Sequence, residues 1–320
     1  MKVLGIESTC DETGAAVVVD GKTILSNVVA SSADIHERYG GVFPELAARR
    51  HAEVIRPVVE EALNGVGEVD LIAVARGPGL IGSLLVGLQF AKGLSIAWDK
   101  PLIGVNHVEA HLYAAMMERE ARFPALGLVL SGGHTLMLRI DGPGQYTKLG
   151  TTVDDAIGEA YDKVASMLGL PYPGGPHVEK LALEGNPQNF SLKAGFVKRS
   201  PLDFSFSGLK TAVLYALRDN PTQKADLAAA FQETALLDLV KKAKTAAATF
   251  DCQAIYLGGG VSCNRRLKTL FTENFERVFF PPPALTLDNA AMIAGLGYQK
   301  FSQTKVSDPL DLEALTRIPI

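Results

Sequence analysis

The feature that most constrains this chain is a pattern that occurs twice. "KVLGIES" at 2–8, the polar turn "TCDET" and "GAAVVVD" at 14–20 read as two strands with a tight connection, and "KTILSNVVAS" offers a third. At 125–142, "ALGLVLSGGHTLMLRIDG" repeats strand, small polar turn and strand, and "QYTKLG" follows as the third. A recurrence after about 120 residues is of domain size, so it predicts a duplicated unit rather than a solenoid. Each copy runs on into amphipathic or Ala-rich helices and further apolar strands, "VDLIAVARGPG" and "PLIGVN" in the first and "AIYLGGGVSCN" in the second. The expected class is α/β with two lobes, its glycine turns at strand ends where a phosphate can lie against backbone N–H groups.

A chain of 320 residues exceeds the size at which one core stops growing. The expected division is an N-terminal lobe at 1–110 with a helical insertion near 33–64, and a C-terminal lobe at 111–320 with further helical insertions, the last residues packing back on the first lobe. The long helix ending "EVIRPVVEEAL" is expected to kink or restart at Pro57, and Gly87 and Gly93 to bring the next helix close to a sheet. Hydrophobic residues make up 47% and charged residues 21%, the balance of a folded globular protein. No signal peptide or membrane span is read, and three irregularly spaced cysteines fit a reducing cytoplasm. Net charge is -4 with pI near 5.9, which counts against tight, unaided binding of nucleic acid through a broad positive face. Local basic clusters do occur, "ARRH" at 48–51, "KAGFVKRS" at 193–200 and "KKAK" at 241–244.

"NHVEAH" at 106–111 places His107 and His111 one helical turn apart, roughly 40° around the axis, so that both imidazoles can reach one ion. A zinc peptidase of the H-E-x-x-H type needs its general base directly after the first histidine. Glu109 comes two positions after His107 and points roughly 200° away. The pair is either a ligand pair or two histidines bonded to polar groups, and spacing alone leaves both readings open.

Four segments in order, "GIESTCDETG" at 5–14, "NHVEAH" at 106–111, "SGGHT" at 131–135 and "GGGVSCN" at 258–264, resemble the tRNA N6-adenosine threonylcarbamoyltransferases of the bacterial TsaD group. The resemblance extends to "TLDNAAMIAG" at 286–295. It implies the two-lobed fold of the actin, hexokinase and Hsp70-chaperone (ASKHA, ribonuclease-H-like) class. It also implies transfer of a threonylcarbamoyl group from threonylcarbamoyl-AMP to N6 of adenine 37 in tRNAs reading ANN codons, forming t6A and AMP. Two other classes stay in play: a metal-dependent glycopeptidase and a noncatalytic nucleotide-binding scaffold.

By the same resemblance one divalent metal, Fe2+ or Zn2+, is held by His107, His111 and Asp288, with helix N-capping as the alternative for Asp288. Ser131, Gly132, Gly133 and His134 are expected to contact the adenylate, with Thr135 donating to the same oxygens. Asp162, Gly175, Glu179 and Asn264 are expected around the ribose and adenine. Glu12, in the opening turn with Ser8, Thr9 and Asp11, is expected to position the incoming amine or a water, and with Ser131 and His134 it completes the catalytic candidates. Lys163 and Cys263 are expected to be structural. Arg49, Arg50, Lys198 and Arg199 are candidates for tRNA phosphate contacts. The implied partners are tRNA, a TsaB-like relative and a TsaE-like ATPase that consumes ATP, with a TsaC-type enzyme supplying the adenylate.

Overall fold

The computed structural model describes residues 1–37, 41–117 and 119–318. Arg38, Tyr39 and Gly40, part of the glycine-rich turn expected before the long helix, lie outside the described residues, as do the last two residues. The chain forms two compact units, Met1–Ala121 with Pro281–Ile320, and Arg122–Phe280. The division falls beyond the 110/111 boundary read from sequence, because the histidine helix packs on the last helix of the chain and so stays with the first unit.

The first unit runs β1 (Lys2–Glu7), β2 (Glu12–Val19), β3 (Thr23–Ser31), α1 (Ala33–Glu37), α2 (Pro44–Leu63), β4 (Leu71–Gly77), α3 (Ile81–Trp98), β5 (Leu102–Asn106) and α4 (His107–Ala114). The second contains β6 (Ala125–Leu130), β7 (Thr135–Gly142), β8 (Gln145–Thr151), α5 (Ile157–Leu168), α6 (Gly174–Ala182), α7 (Ser207–Asp219), α8 (Lys224–Thr249), β9 (Ala254–Gly258), α9 (Arg265–Asn274) and β10 (Val278–Phe279). The chain then returns to the first unit with α10 (Ala290–Thr304). The sheets have strand orders β3-β2-β1-β4-β5 and β8-β7-β6-β9-β10, each an antiparallel meander joined to two parallel strands. β10 is only two residues long, much shorter than the apolar run "RVFF" suggests.

β1 reads as a continuous apolar run because both its faces are covered. Val3 packs with Ala290, Ala291 and Ala294 of α10, whereas Leu4 and Ile6 pack with Ile55 and Val59 of α2 and Leu88 of α3. Truncating a fully buried leucine such as Leu4 to alanine costs about 2–5 kcal/mol. Gly5 allows the close approach on the first face: a Cβ there would run into the Ala290 carbonyl and lie 2.8 Å from Ala294 N. This glycine brings the start of α10 beside the C-terminal end of β1.

Pro57 does not restart α2, which is one helix of 20 residues with the proline inside it. Gly87 packs against Ser8 as expected; Gly93 does not, since a Cβ there would meet nothing within 4 Å. Ile81–Trp98 is long and apolar enough, by composition, to cross a membrane, which the sequence reading had not anticipated. Its Leu84, Leu88 and Ala91 face is buried, and the helix packs on β4 and α2. The tail is tied down rather than loose: Gly104 N donates to Asp308 Oδ2 (2.7 Å), Leu315 N donates to the Arg76 carbonyl (2.8 Å), and Leu312 enters the core.

Candidate metal centre and substrate loops

β5 ends at Asn106, whose Oδ1 accepts from Val108 N (2.9 Å) and Glu109 N (3.4 Å) and so starts α4. His107 is therefore the first helical residue, and His111 lies one turn on with its ring 4.6 Å from that of His107, edge to face. Asp288 completes the group. Its Oδ1 is 3.5 Å from His107 Nε2 and 3.1 Å from His111 Nε2, and the three donor atoms lie within 4.8 Å of one another. Asp288 is not the cap of α10; that is Asn289, whose Oδ1 accepts from Met292 N at 3.1 Å. With its neighbour capping the helix, Asp288 presents its carboxylate to the histidines.

Neither ring nitrogen of His111 makes a hydrogen bond although the ring is buried, so Nε2 faces the carboxylate without donor geometry. Buried polar atoms are rarely left so. Two imidazoles and one carboxylate converge on a point where a divalent cation would satisfy all three, and this donor set suits zinc or iron(II).

Glu7, which the sequence reading missed, fixes His107. Fully buried at the end of β1, its Oε1 accepts from Thr9 N (2.6 Å) and its Oε2 lies 2.9 Å from His107 Nδ1. Nδ1 is thus the proton-bearing nitrogen and Nε2 is turned to the other ligands, the carboxylate–histidine pairing that orients metal ligands. Burial works to lower the His107 pKa, but the adjacent Glu7 and Asp288 carboxylates outweigh it and raise it to about 9 in the metal-free chain. Glu109 is elsewhere: burial raises its pKa, Lys300 opposes this, and it is not part of the ligand cluster.

The opening turn is closed by its own side chains. Ser8 Oγ donates to the Ser83 carbonyl (2.9 Å) and Thr9 is buried, so neither side chain faces outward to a phosphate. His51 braces the turn, with Nε2 3.0 Å from the Cys10 carbonyl and Nδ1 2.7 Å from Thr13 Oγ1. Burial lowers the His51 pKa, so the ring is neutral, donating through Nε2 and accepting from Thr13. Burial, then Asp11 and Asp288, push Glu12 up to about 10, and the same causes in the same order raise the Cys10 thiol.

In the second unit, Ser131 N donates to the His134 carbonyl (2.9 Å) and His134 N to Ser131 Oγ (3.0 Å), closing the SGGH turn. Gly132 and Gly133 are exposed, and a Cβ on either would meet nothing within 4 Å. Their backbone is therefore open to a ligand. Behind the turn Gly158, in the first turn of α5, donates to the Ser131 carbonyl (3.2 Å) and has no room for a Cβ. Thr135 is not a ligand donor: it is buried and its Oγ1 accepts from Ile157 N at 2.8 Å. Gly259, at φ 87°, lies against the Leu130 carbonyl, so the GGGVSCN turn and the SGGH turn sit side by side.

The remaining candidates, Asp162, Gly175, Glu179 and Asn264, make hydrogen bonds within the same unit. Asp162 Oδ1 accepts from Gly174 N (2.7 Å), and Gly175 N also donates to this carboxyl; burial raises its pKa and these two bonds oppose the rise. Glu179 Oε1 accepts from Arg265 N (2.7 Å). Asn264 caps α9 through Leu267 N (2.9 Å), and its Nδ2 donates to Gln232 Oε1 (2.8 Å), which also accepts from Tyr161 Oη at 3.4 Å. Gln232, buried within an Ala-rich helix, carries no signal in the sequence.

Residues 23–295 match the TsaD family, tRNA N6-adenosine threonylcarbamoyltransferase. The protein of that description from Protochlamydia amoebophila is 56% identical, the alignment covering 100% of this chain and 98% of the relative, and that from Chlamydia pneumoniae is 49% identical over 95% and 92%. This chain belongs to that family. Among solved structures, HypF from T. kodakarensis aligns with a TM-score of 0.65 at 15% identity, over 94% of this chain but 48% of that one. The ROK hexokinase from Thermus thermophilus aligns at 0.52 and 16% identity, over 95% and 99%. These show the fold, the two-lobed ASKHA class.

The structure assembles His107, His111 and Asp288 from two distant segments, with Glu12 near enough to Asp288 to feel its charge. Ser131, Gly132, Gly133 and His134 form one turn; Asn264 bonds to Gln232, Glu179 bonds to the neighbouring Arg265 N, and Asp162 holds the Gly174 and Gly175 N–H groups. Lys163 is a structural lysine, bonded to Asp155 and Glu159. Of the basic candidates, Arg50 pairs with Glu53 at 3.3 Å, while Lys198 and Arg199 are exposed.

Proposed function

We propose that this chain transfers the threonylcarbamoyl group of threonylcarbamoyl-AMP to N6 of adenine 37 in tRNAs reading ANN codons. The C–N bond to the carbamoyl carbon forms, its bond to the phosphate oxygen breaks, AMP leaves with that electron pair, and N6 gives up one proton. The observation that carries this reading over peptide hydrolysis is the position of the carboxylates at the triad: Glu7 is committed to His107 Nδ1 and Thr9 N, and Glu109 lies by Lys300, so neither serves as the base of an H-E-x-x-H enzyme.

A divalent ion, zinc or iron(II), held by His107, His111 and Asp288 would offset negative charge on the substrate. The Gly132 and Gly133 N–H groups approach the adenylate phosphate with no side chain in the way, and Ser131 and His134 set the turn that aims them. Asp162, Gly175, Glu179 and Asn264 hold the ribose and adenine, through the backbone they brace as much as through free side-chain atoms. Glu12 orients the incoming amine or a water. With an activated donor, positioning can supply much of the rate enhancement.

The chain works with a TsaB-like protein, a TsaE-like ATPase and a TsaC-type enzyme, and its three free cysteines fit the cytoplasm. The test is to incubate it with these partners, threonylcarbamoyl-AMP and unmodified tRNA and to measure t6A by mass spectrometry. Product is expected. No product with competent partners overturns the reading: nucleotide binding alone would indicate a scaffold, and glycopeptide cleavage lost in a His107→Ala, His111→Ala variant would indicate a peptidase.

A further inference from the structure

The segment leading into α7 carries a feature that substrate binding at the turns does not use. Phe196 is 73% exposed. Around it stand Lys193, Lys198 and Arg199, all exposed, and no carboxylate occurs between Glu184 and Asp203. Unlike Lys163, Lys210 and Arg266, which are held in ion pairs, these three cations have no carboxylate partner among the described residues.

The loop is anchored, so the exposure of the ring is built in. Gly195 is pressed on Ser205, where a Cβ would come within 2.7 Å of Ser205 Cβ and Oγ. Leu192 and Leu202 pack on the core on either side, Asp203 N donates to the Ser200 carbonyl (2.9 Å), and Thr151 N donates to Asp203 Oδ1 (2.8 Å). The anchor is also close to the SGGH turn. Val153 N donates to the Phe204 carbonyl and Thr152 N to the Thr135 carbonyl, both at 2.9 Å, and Thr135 directly follows His134.

We propose that this loop docks unpaired nucleotides of the tRNA beside the reacting adenosine, Phe196 stacking on a base while Lys193, Lys198 and Arg199 meet phosphates. An aromatic ring offered among unpaired cations is the surface that single-stranded nucleic acid fits, since every base has a face to stack and every linkage a charge. A local cluster also reconciles RNA binding with a net charge of -4. The proposal rests on the reading that tRNA is the substrate.

The test measures binding of labelled unmodified tRNA by the full chain over a salt series, alongside calorimetric binding of threonylcarbamoyl-AMP and the KM for tRNA. Phe196→Ala is expected to weaken tRNA binding about 5- to 100-fold, Phe196→Trp to stay within about threefold of wild type by the same stacking, and both to keep wild-type affinity for the adenylate. Replacing Lys193, Lys198 and Arg199 by glutamine is expected to lower the slope of log Kd against log salt by about 0.7 per cation. Wild-type tRNA affinity in Phe196→Ala, an equal loss of adenylate binding, or loss of a protein partner with tRNA binding intact overturns the proposal. A wild-type chain that binds tRNA through this loop but forms no t6A overturns the activity reading instead.

Discussion

The β1–β2 turn of the first unit and the β6–β7 turn of the second occupy the same place in the same strand order, yet one is shut and the other open. In the first, Ser8 and Thr9 are buried, His51 and Ser83 bond to the Cys10 carbonyl, and the strand end delivers Glu7 to a metal-ligand histidine. In the second, Gly132 and Gly133 have exposed backbone with space above it. Duplication of a fold does not duplicate a site: side chains close one hairpin and make it a support for the histidine, and their absence leaves the other open.

If that contrast is right, changes in the first unit act on metal and changes in the second on substrate. The largest effect is expected from His107→Ala with His111→Ala, which leaves one carboxylate of the triad. Bound zinc, measured after dialysis by elemental analysis, should fall below a tenth of the wild-type content, and t6A formation should drop by at least about a hundredfold. Wild-type metal content would remove the metal assignment.

Glu7 should come next. Glu7→Ala removes the acceptor at His107 Nδ1 and is expected to weaken metal binding about 10- to 100-fold. Glu7→Gln keeps an acceptor oxygen without the charge and should recover part of the loss. Competition with a chromophoric chelator measures both, and identical losses in the two variants would mean that packing rather than orientation is at stake. Neither change should alter binding of AMP to the second unit.

In the second unit, Gly259→Ala and Gly132→Ala should separate. Gly259 has φ 87° and lies against the Leu130 carbonyl, so alanine there is expected to cost about 1–3 kcal/mol in urea unfolding. Gly132→Ala meets nothing within 4 Å and should leave stability unchanged while raising the KM for the adenylate. A Gly132→Ala chain with wild-type KM would show that this turn does not hold the adenylate.

Much of this division can be read from the sequence. The repeated hairpin fixes the fold class, because buried strands must be apolar on both faces, and His107 and His111 are legible because helical spacing is regular. Glu7, Gln232 and His51 are not. Each acts through a partner brought close only by packing, Glu7 across the parallel sheet to the residue after β5, and Gln232 from α8 to the start of α9. Asp288 was assigned by resemblance, and the alternative of N-capping failed by one position, a distinction that depends on which of two adjacent side chains turns toward the helix. Asn264, read as a ligand contact, also caps α9, and Thr135, read as a donor to the same ligand, accepts from the first N–H of α5, since the same polar atom suits either task.

The smallest expected effect concerns pH and tests whether Glu7 and Asp288 hold charge on His107. In the metal-free chain its pKa is raised from 6.5 to about 9, so the folded state binds the proton more tightly than the unfolded state. That contribution to stability is complete below 6.5 and is lost as pH rises through about 9, at no more than ~1.4 kcal/mol per pH unit for one proton. Glu12 slopes the same way, from 4.5 to about 10, because its neutral form is the one that suits burial. Glu12→Gln removes that part and leaves the histidine part, so the unfolding free energy of the Glu12→Gln chain in chelator should still fall between pH 6.5 and 9. Saturating zinc should reverse the trend over the same range, since the ion needs Nε2 without its proton and competes better as pH rises. A flat profile in chelator would show that the carboxylates do not hold the proton on His107, and the first-unit turn would then be a packing device with no electrostatic part in preparing the ligand.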